Sequence, residues 1–160
     1  MLKKIQFILT CCIFFYQVHA VALEVGERFV FDQVRLLSGQ TLEASQLKDK
    51  HLILEVWASW CPYCRRQNVN LQKLYSKTAN TNLAILTISV DKDPVTVEDY
   101  LKENDYDFPV AMMTSTLSGQ LGKRRGIPEI YVVDPSGKVI QKDYGLMVDA
   151  DFEELIRYKK

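Results

Sequence analysis

An apolar run, His51-Leu-Ile-Leu-Glu-Val-Trp57, leads through Ala58-Ser59-Trp60 into Cys61-Pro-Tyr-Cys64 and then into a helix-compatible segment. That succession permits few structures. The run suits a strand covered on both faces, and the two thiols then fall at the entrance of a helix. Pro62 stands where proline is tolerated, in the first helical turn. Cys61 falls near the N-cap, its sulfur facing unpaired backbone N–H groups and the positive end of the helix dipole, a setting that favours a thiolate. Cys64 follows one turn later on the same side, within reach of a disulfide with Cys61. The stretch thus supplies a nucleophile, a resolving thiol and a means of activating the first.

The first twenty residues form a separate object. Lys3 and Lys4 make a positive start, Ile5 to Tyr16 a mostly apolar stretch, and Val18-His19-Ala20 an end with a small residue at the cleavage point. This is the pattern of a secretory signal peptide, and the apolar stretch is short for a membrane span. Cleavage after Ala20 is the first expectation; retention as an N-terminal membrane anchor is the second. Either way residues 21–160 are exported, to the periplasm or the outer face of a membrane. Of the four cysteines, Cys11 and Cys12 belong to the signal, so the mature chain keeps Cys61 and Cys64. An exported chain with one close-spaced pair is not a disulfide scaffold, and its pair reads as reactive rather than architectural. With 160 residues, 48% hydrophobic and 25% charged, the chain has the makings of one domain with a real core. The signal holds two of the 20 basic residues and none of the 20 acidic ones, which leaves a net charge of −2. No basic run stands out, and no nucleic-acid partner is expected.

Along the mature chain, residues 21–50 read as an extension before the core. Arg28 to Asp32 alternates like a strand, and Val34 to Leu37 can pair with Gln40 to Leu42 around Ser38-Gly39. Ala44 to Asp49 suits one helical turn. After the His51–Trp57 strand, Pro62 to Thr78 is a helix with Val69, Leu71, Leu74 and Tyr75 as its apolar stripe. Strands are expected at Leu83–Val90, Phe108–Met112, Ile130–Val133 and Lys138–Lys142, with a turn at Asp134-Pro-Ser-Gly137. Helices are expected at Pro94–Asn104, Thr114–Gly122 and Asp149–Tyr158, the last with Phe152, Leu155 and Ile156 inward. The order β-α-β-α-β-α-β-β-α implies an α/β fold with a mixed sheet flanked by helices.

Trp57-Ala-Ser-Trp-Cys-Pro-Tyr-Cys64 resembles the active-site signature of the thioredoxin superfamily. It is most similar to the extracytoplasmic TlpA/ResA/CcmG (DsbE) branch, which carries W-A-x-W-C-x-x-C. The resemblance implies a thioredoxin-like fold with an N-terminal hairpin at residues 21–50 and an inserted segment at 91–122. It implies a cis proline facing the thiols, matched by Pro128 in Gly126-Ile-Pro-Glu129; from the residues alone a trans bond is the default. By the same resemblance the Ile127 backbone pairs with an extended substrate beside Cys61, and Trp60, Pro62 and Tyr63 complete the substrate-binding surface. The implied activity is thiol–disulfide exchange. Its implied role is that of the reductases of cytochrome c maturation, acting on apocytochrome c cysteines with electrons from a membrane donor of the DsbD/CcdA type.

Other readings stay open beside this one. The protein could be a general disulfide oxidase or isomerase, or, in a different class, a copper-thiolate chaperone. A zinc site needs about four ligands, and His51 is the only further histidine of the mature chain, so no metal site and no cofactor are expected. Glu55 interrupts the apolar strand and admits two readings, an edge residue or a carboxylate buried below the thiols. Thioredoxins place an aspartate at this spacing, while many relatives of the TlpA branch have an amide or an apolar residue there. Burial would raise its pKa and suit it to take the proton from Cys64. Gln67 stands where ResA-like proteins often carry a glutamate; a neutral amide cannot act as a base, which leaves that role to Glu55 or to no residue. Arg65 and Arg66 read either as a solvated face or as charges favouring the Cys61 thiolate.

Overall fold

The computed structural model describes residues 22–159; the signal peptide expected at residues 1–20 lies outside them. A two-stranded hairpin comes first, β1 (Gln33–Arg35) against β2 (Thr41–Glu43), followed by a 3-10 turn at Ala44–Leu47. The core then runs β3 (His51–Trp57), α1 (Pro62–Tyr75), β4 (Leu83–Ser89), α2 (Pro94–Glu103), β5 (Val110–Met112), α3 (Ser115–Leu121), β6 (Glu129–Val133), β7 (Val139–Tyr144) and α4 (Asp149–Glu154). A second 3-10 segment, Leu155–Lys159, extends α4.

The five core strands form one sheet in the order β5-β4-β3-β6-β7. β3 lies at its centre, parallel to β4 and antiparallel to β6. Its side chains alternate between two apolar layers. Ile53 and Trp57 pack with Leu71 and Leu74 of α1, Val97 of α2 and Phe152 of α4. Leu52, Leu54 and Val56 pack with Leu117 and Leu121 of α3 and with Leu23, Phe29 and Val34 of the N-terminal segment. Burial on both faces is the reason the strand reads as a continuous apolar run. The inserted segment supplies β5, which extends the sheet beyond β4, and the hairpin docks on that edge through the Leu37 N–H to Val110 carbonyl bond of 2.8 Å.

Three local expectations are corrected. Arg28 to Asp32 is not a strand: Arg28 makes an isolated bridge to Lys138, the Phe29 N–H bonds the Gly137 carbonyl, and the Val30 N–H bonds the Gln120 side chain. With successive donors taken by different elements, no ladder forms. On α1 the inward face is Cys64, Gln67, Asn68, Leu71 and Leu74, while Val69 is exposed. Gln67 and Asn68 occupy core positions because hydrogen bonds satisfy them, Asn68 through the Tyr100 hydroxyl at 3.2 Å. Ile156 is exposed, because the chain tightens to 3-10 geometry at Leu155 and that turns it away from the sheet.

Candidate active site

The thiols sit where β3 gives way to α1. Cys61 is the N-cap residue, extended at φ −83° and ψ 116°, and its sulfur accepts a hydrogen bond from the Cys64 N–H at 3.2 Å. Pro62 takes the first helical position, where no N–H is missed. Both cysteines are free thiols and both are buried, Cys64 completely. Around their opening Trp60 and Tyr63 are exposed by 66% and 59%, and Pro62 is exposed too.

Opposite Cys61 lies the segment entering β6. The Ile127–Pro128 peptide bond is cis, Pro128 is buried, and the Ile127 carbonyl oxygen is 3.8 Å from the Cys61 sulfur. Asp91, beyond the end of β4, fixes the loop before α1. Its carboxylate accepts from the Ser59 N–H at 2.9 Å, from the Ser59 hydroxyl at 2.7 Å and from the Ser89 hydroxyl at 2.6 Å. Sequence reasoning missed Asp91, because its main partner is 32 residues away and a single aspartate after a strand carries no signal of that reach.

Beneath the thiols is Glu55, fully buried on the α1 face of β3. The Gln67 amide donates to Glu55 Oε1 at 3.1 Å and accepts from the Met147 N–H at 2.9 Å, while Glu55 Oε2 has no partner. Loss of solvent raises the Glu55 pKa to about 8, only partly offset by the Gln67 hydrogen bond. Burial also pushes the Cys64 thiol well above its ordinary range, helped by its interaction with Cys61 and by the Glu55 charge. Burial thus disfavours ionisation of Cys64. Arg65 stacks on Tyr100, 5.4 Å from the ring centroid, and both Arg65 and Arg66 are exposed. His51 packs against Tyr158 at 5.1 Å between centroids, a structural contact far down β3 from the thiols. Among the described residues no group of three or more His, Cys, Asp or Glu side chains is placed to hold a metal ion, and no helix is long and apolar enough to cross a membrane.

A dithiol at a helix N-terminus, on a central strand of a mixed sheet and opposite an X-Pro segment, defines the thioredoxin-like thiol–disulfide oxidoreductases. The chain belongs to the AhpC/TSA family, whose model matches residues 25–142. Among its relatives, the thiol-disulfide oxidoreductase ResA of Bacillus thuringiensis subsp. konkukian is 28% identical over 138 residues, covering 84% of this chain and 78% of the relative. ResA of Bacillus subtilis is 24% identical over 123 residues, covering 75% and 69%. A thioredoxin-family thiol:disulfide interchange protein of Chlorobium tepidum TLS has a similar structure, with a TM-score of 0.73 and 25% identity over 87% of this chain and 97% of that one. StoA of Bacillus subtilis shares the fold, with a TM-score of 0.70 and 22% identity over 84% and 99%. The chain is a thiol–disulfide oxidoreductase.

Proposed function

We propose that the protein works as an exported reductant of protein disulfides through Cys61 and Cys64. Residues 1–20 serve as its signal peptide and 21–160 as its thioredoxin-like domain. Cys61 thiolate attacks one sulfur of the substrate disulfide, forming a mixed disulfide and releasing the first substrate thiolate. Cys64, once deprotonated, attacks the Cys61 sulfur, releasing the second substrate thiolate and leaving Cys61–Cys64 oxidised. Two electrons pass from the dithiol to the substrate, and no cofactor takes part. Glu55 is the proton acceptor for Cys64. The Ile127 carbonyl, Pro128, Trp60, Pro62 and Tyr63 receive the substrate chain. By resemblance to its branch, the substrates are apocytochromes c and the electrons come from a membrane protein of the DsbD/CcdA type.

The observation that carries this reading is the asymmetry of the two thiols. Cys61 caps the helix with a hydrogen bond from Cys64 N–H at its sulfur, while Cys64 is fully buried and resists deprotonation. One thiol is built to attack and the other to wait. Equilibration of residues 21–160 with glutathione buffers tests the direction. A reduction potential far below the value of about −120 mV typical of a strong periplasmic oxidant supports a reductant; a value close to it makes the protein an oxidase. N-terminal sequencing of the exported full chain decides whether cleavage follows Ala20.

A further inference from the structure

Beside the opening over Cys61 is an open cavity of about 430 Å³ whose lining includes Trp60, Val90, Lys123, Arg124, Arg125 and Ile127. It is continuous with the site through Ile127, whose carbonyl lies 3.8 Å from the Cys61 sulfur. Its apolar wall, formed by Trp60, Val90 and Ile127, faces three consecutive basic residues. None of the three makes a salt bridge among the described residues. Two carboxylates interact electrostatically with the arginines, Glu24 with Arg125 and Glu129 with Arg124, but neither forms an ion pair with them; Glu24 lies 3.0 Å and Glu129 3.5 Å from Lys142. Arg124 keeps a buried guanidinium nitrogen, Nη1, with no hydrogen-bond partner, and Arg125 is held over the Tyr144 ring at 5.2 Å. A buried guanidinium N–H without an acceptor is costly, and a carboxylate is the acceptor whose geometry matches it best. The chain as a whole has no excess of positive charge, so this positive field is local to the mouth of the site.

We propose that the preferred substrate is an acidic polypeptide segment: its disulfide lies at Cys61, an aspartate or glutamate within a few residues of it sits among Lys123, Arg124 and Arg125, and an apolar neighbour rests on Trp60. This rests on Cys61 being the attacking thiol. Recognition adds no redox step to the exchange already described; the reduced dithiol supplies both electrons. Like-charged segments are rejected by the same three residues, which makes the cluster a device for choosing among disulfides.

The test uses the reduced mature protein and three cyclic peptide disulfides of equal length, flanked by aspartate, glutamine or lysine. Each single-turnover rate is taken as a ratio to the rate with hydroxyethyl disulfide, which is uncharged. At low salt the aspartate peptide reacts about tenfold or more faster than the lysine peptide. In 1 M salt, where the screening length is about 3 Å, the rates converge. Lys123→Glu combined with Arg125→Glu reverses the order of the peptides, and Arg124→Gln alone narrows the gap. Equal rates for the three peptides at low salt, or an order that charge reversal leaves in place, overturn the proposal. If the wild type fails to reduce the uncharged disulfide, or Cys61→Ser reduces it as fast, the underlying assignment of Cys61 falls instead and takes the proposal with it.

Discussion

Glu55 shares its strand face with Ile53 and Trp57, yet its carboxylate has one hydrogen-bond partner, Gln67, and an unpartnered second oxygen. Protonated, such a group fits its surroundings; ionised, it does not. With a folded pKa of about 8, it retains a proton that the unfolded chain has lost above about pH 4.3. Its contribution to stability is therefore complete below the unfolded pKa and declines as pH rises to about 8, by up to about 1.4 kcal/mol per pH unit. Glu55→Gln removes this dependence. Urea denaturation of the reduced proteins should give similar stabilities near about pH 5, with the variant more stable by several kcal/mol near about pH 8. Stopped-flow kinetics should show resolution by Cys64 accelerating in the wild type through about pH 8, the inflection being absent from the variant, with the first attack by Cys61 little changed. Parallel pH–stability curves and unaltered resolution would make Glu55 a structural residue. The choice between an edge glutamate and a buried one was only partly legible in the residues themselves: the apolar run suits a strand covered on both faces, but that β6 and β4 flank β3 is long-range information.

At the scale of elements, the C-x-x-C helix and its neighbours were legible because each has a local signature. Apolar runs made β3 and β4, Pro62 marked the first turn of α1, and Asp134 to Gly137 marked the turn into β7. The inward face of α1 was read wrongly at Val69, since periodicity scores Gln67 and Asn68 as surface when each has a partner inside the fold. Asp91 is the element-scale counterpart: it joins the end of β4 to the loop that delivers Cys61. Asp91→Ala leaves the Ser59 N–H and the two serine hydroxyls without their acceptor. A buried donor so stranded costs about 1–3 kcal/mol, and that loss should appear as a lower urea midpoint with an unchanged slope. Asp91→Asn, which keeps one acceptor oxygen, should recover part of it. A loss under about 0.5 kcal/mol, the range of ordinary surface substitutions, would mean that the loop holds its shape without Asp91.

For the whole molecule, the question is how the N-terminal segment is tied to the sheet. Periodicity suggested a strand at Arg28 to Asp32; the fold uses a strap tied by scattered backbone hydrogen bonds, such as Gly26 N–H to the Val139 carbonyl and Val139 N–H to the Glu27 carbonyl, and by side chains. Lys142 on β7 is one of the side-chain anchors. Its ammonium, in a side chain only 2% exposed, donates to the Leu23 carbonyl, lies 3.0 Å from Glu24 and 3.5 Å from Glu129, and sits over the rings of Tyr131 and Tyr144 at 5.1 and 4.8 Å. Glu129 is almost fully buried, and the neighbouring Tyr131 hydroxyl and Lys142 both favour its charge. Lys142→Met keeps the packing of the stem and removes the charge. Breaking a buried pair from one side costs about 3–5 kcal/mol, and the loss should grow with pH. Burial already holds the Glu129 pKa above its ordinary value, and the Tyr131 hydroxyl and then Lys142 work against that shift. Without the lysine the folded pKa rises further, the proton retained on folding is carried over a wider interval, and stability declines over more of the pH range. Glu24 does not add to this trend: Lys142 lowers its pKa, so the stability this gives is already present above the ordinary carboxylate pKa and is lost only as pH falls below it. Chemical denaturation of wild type and variant at about pH 5 and about pH 8 should show the larger difference at the higher pH. An equal difference at both would assign the effect to packing rather than charge, and Lys142 would then hold the strap through its Leu23 hydrogen bond and its stem.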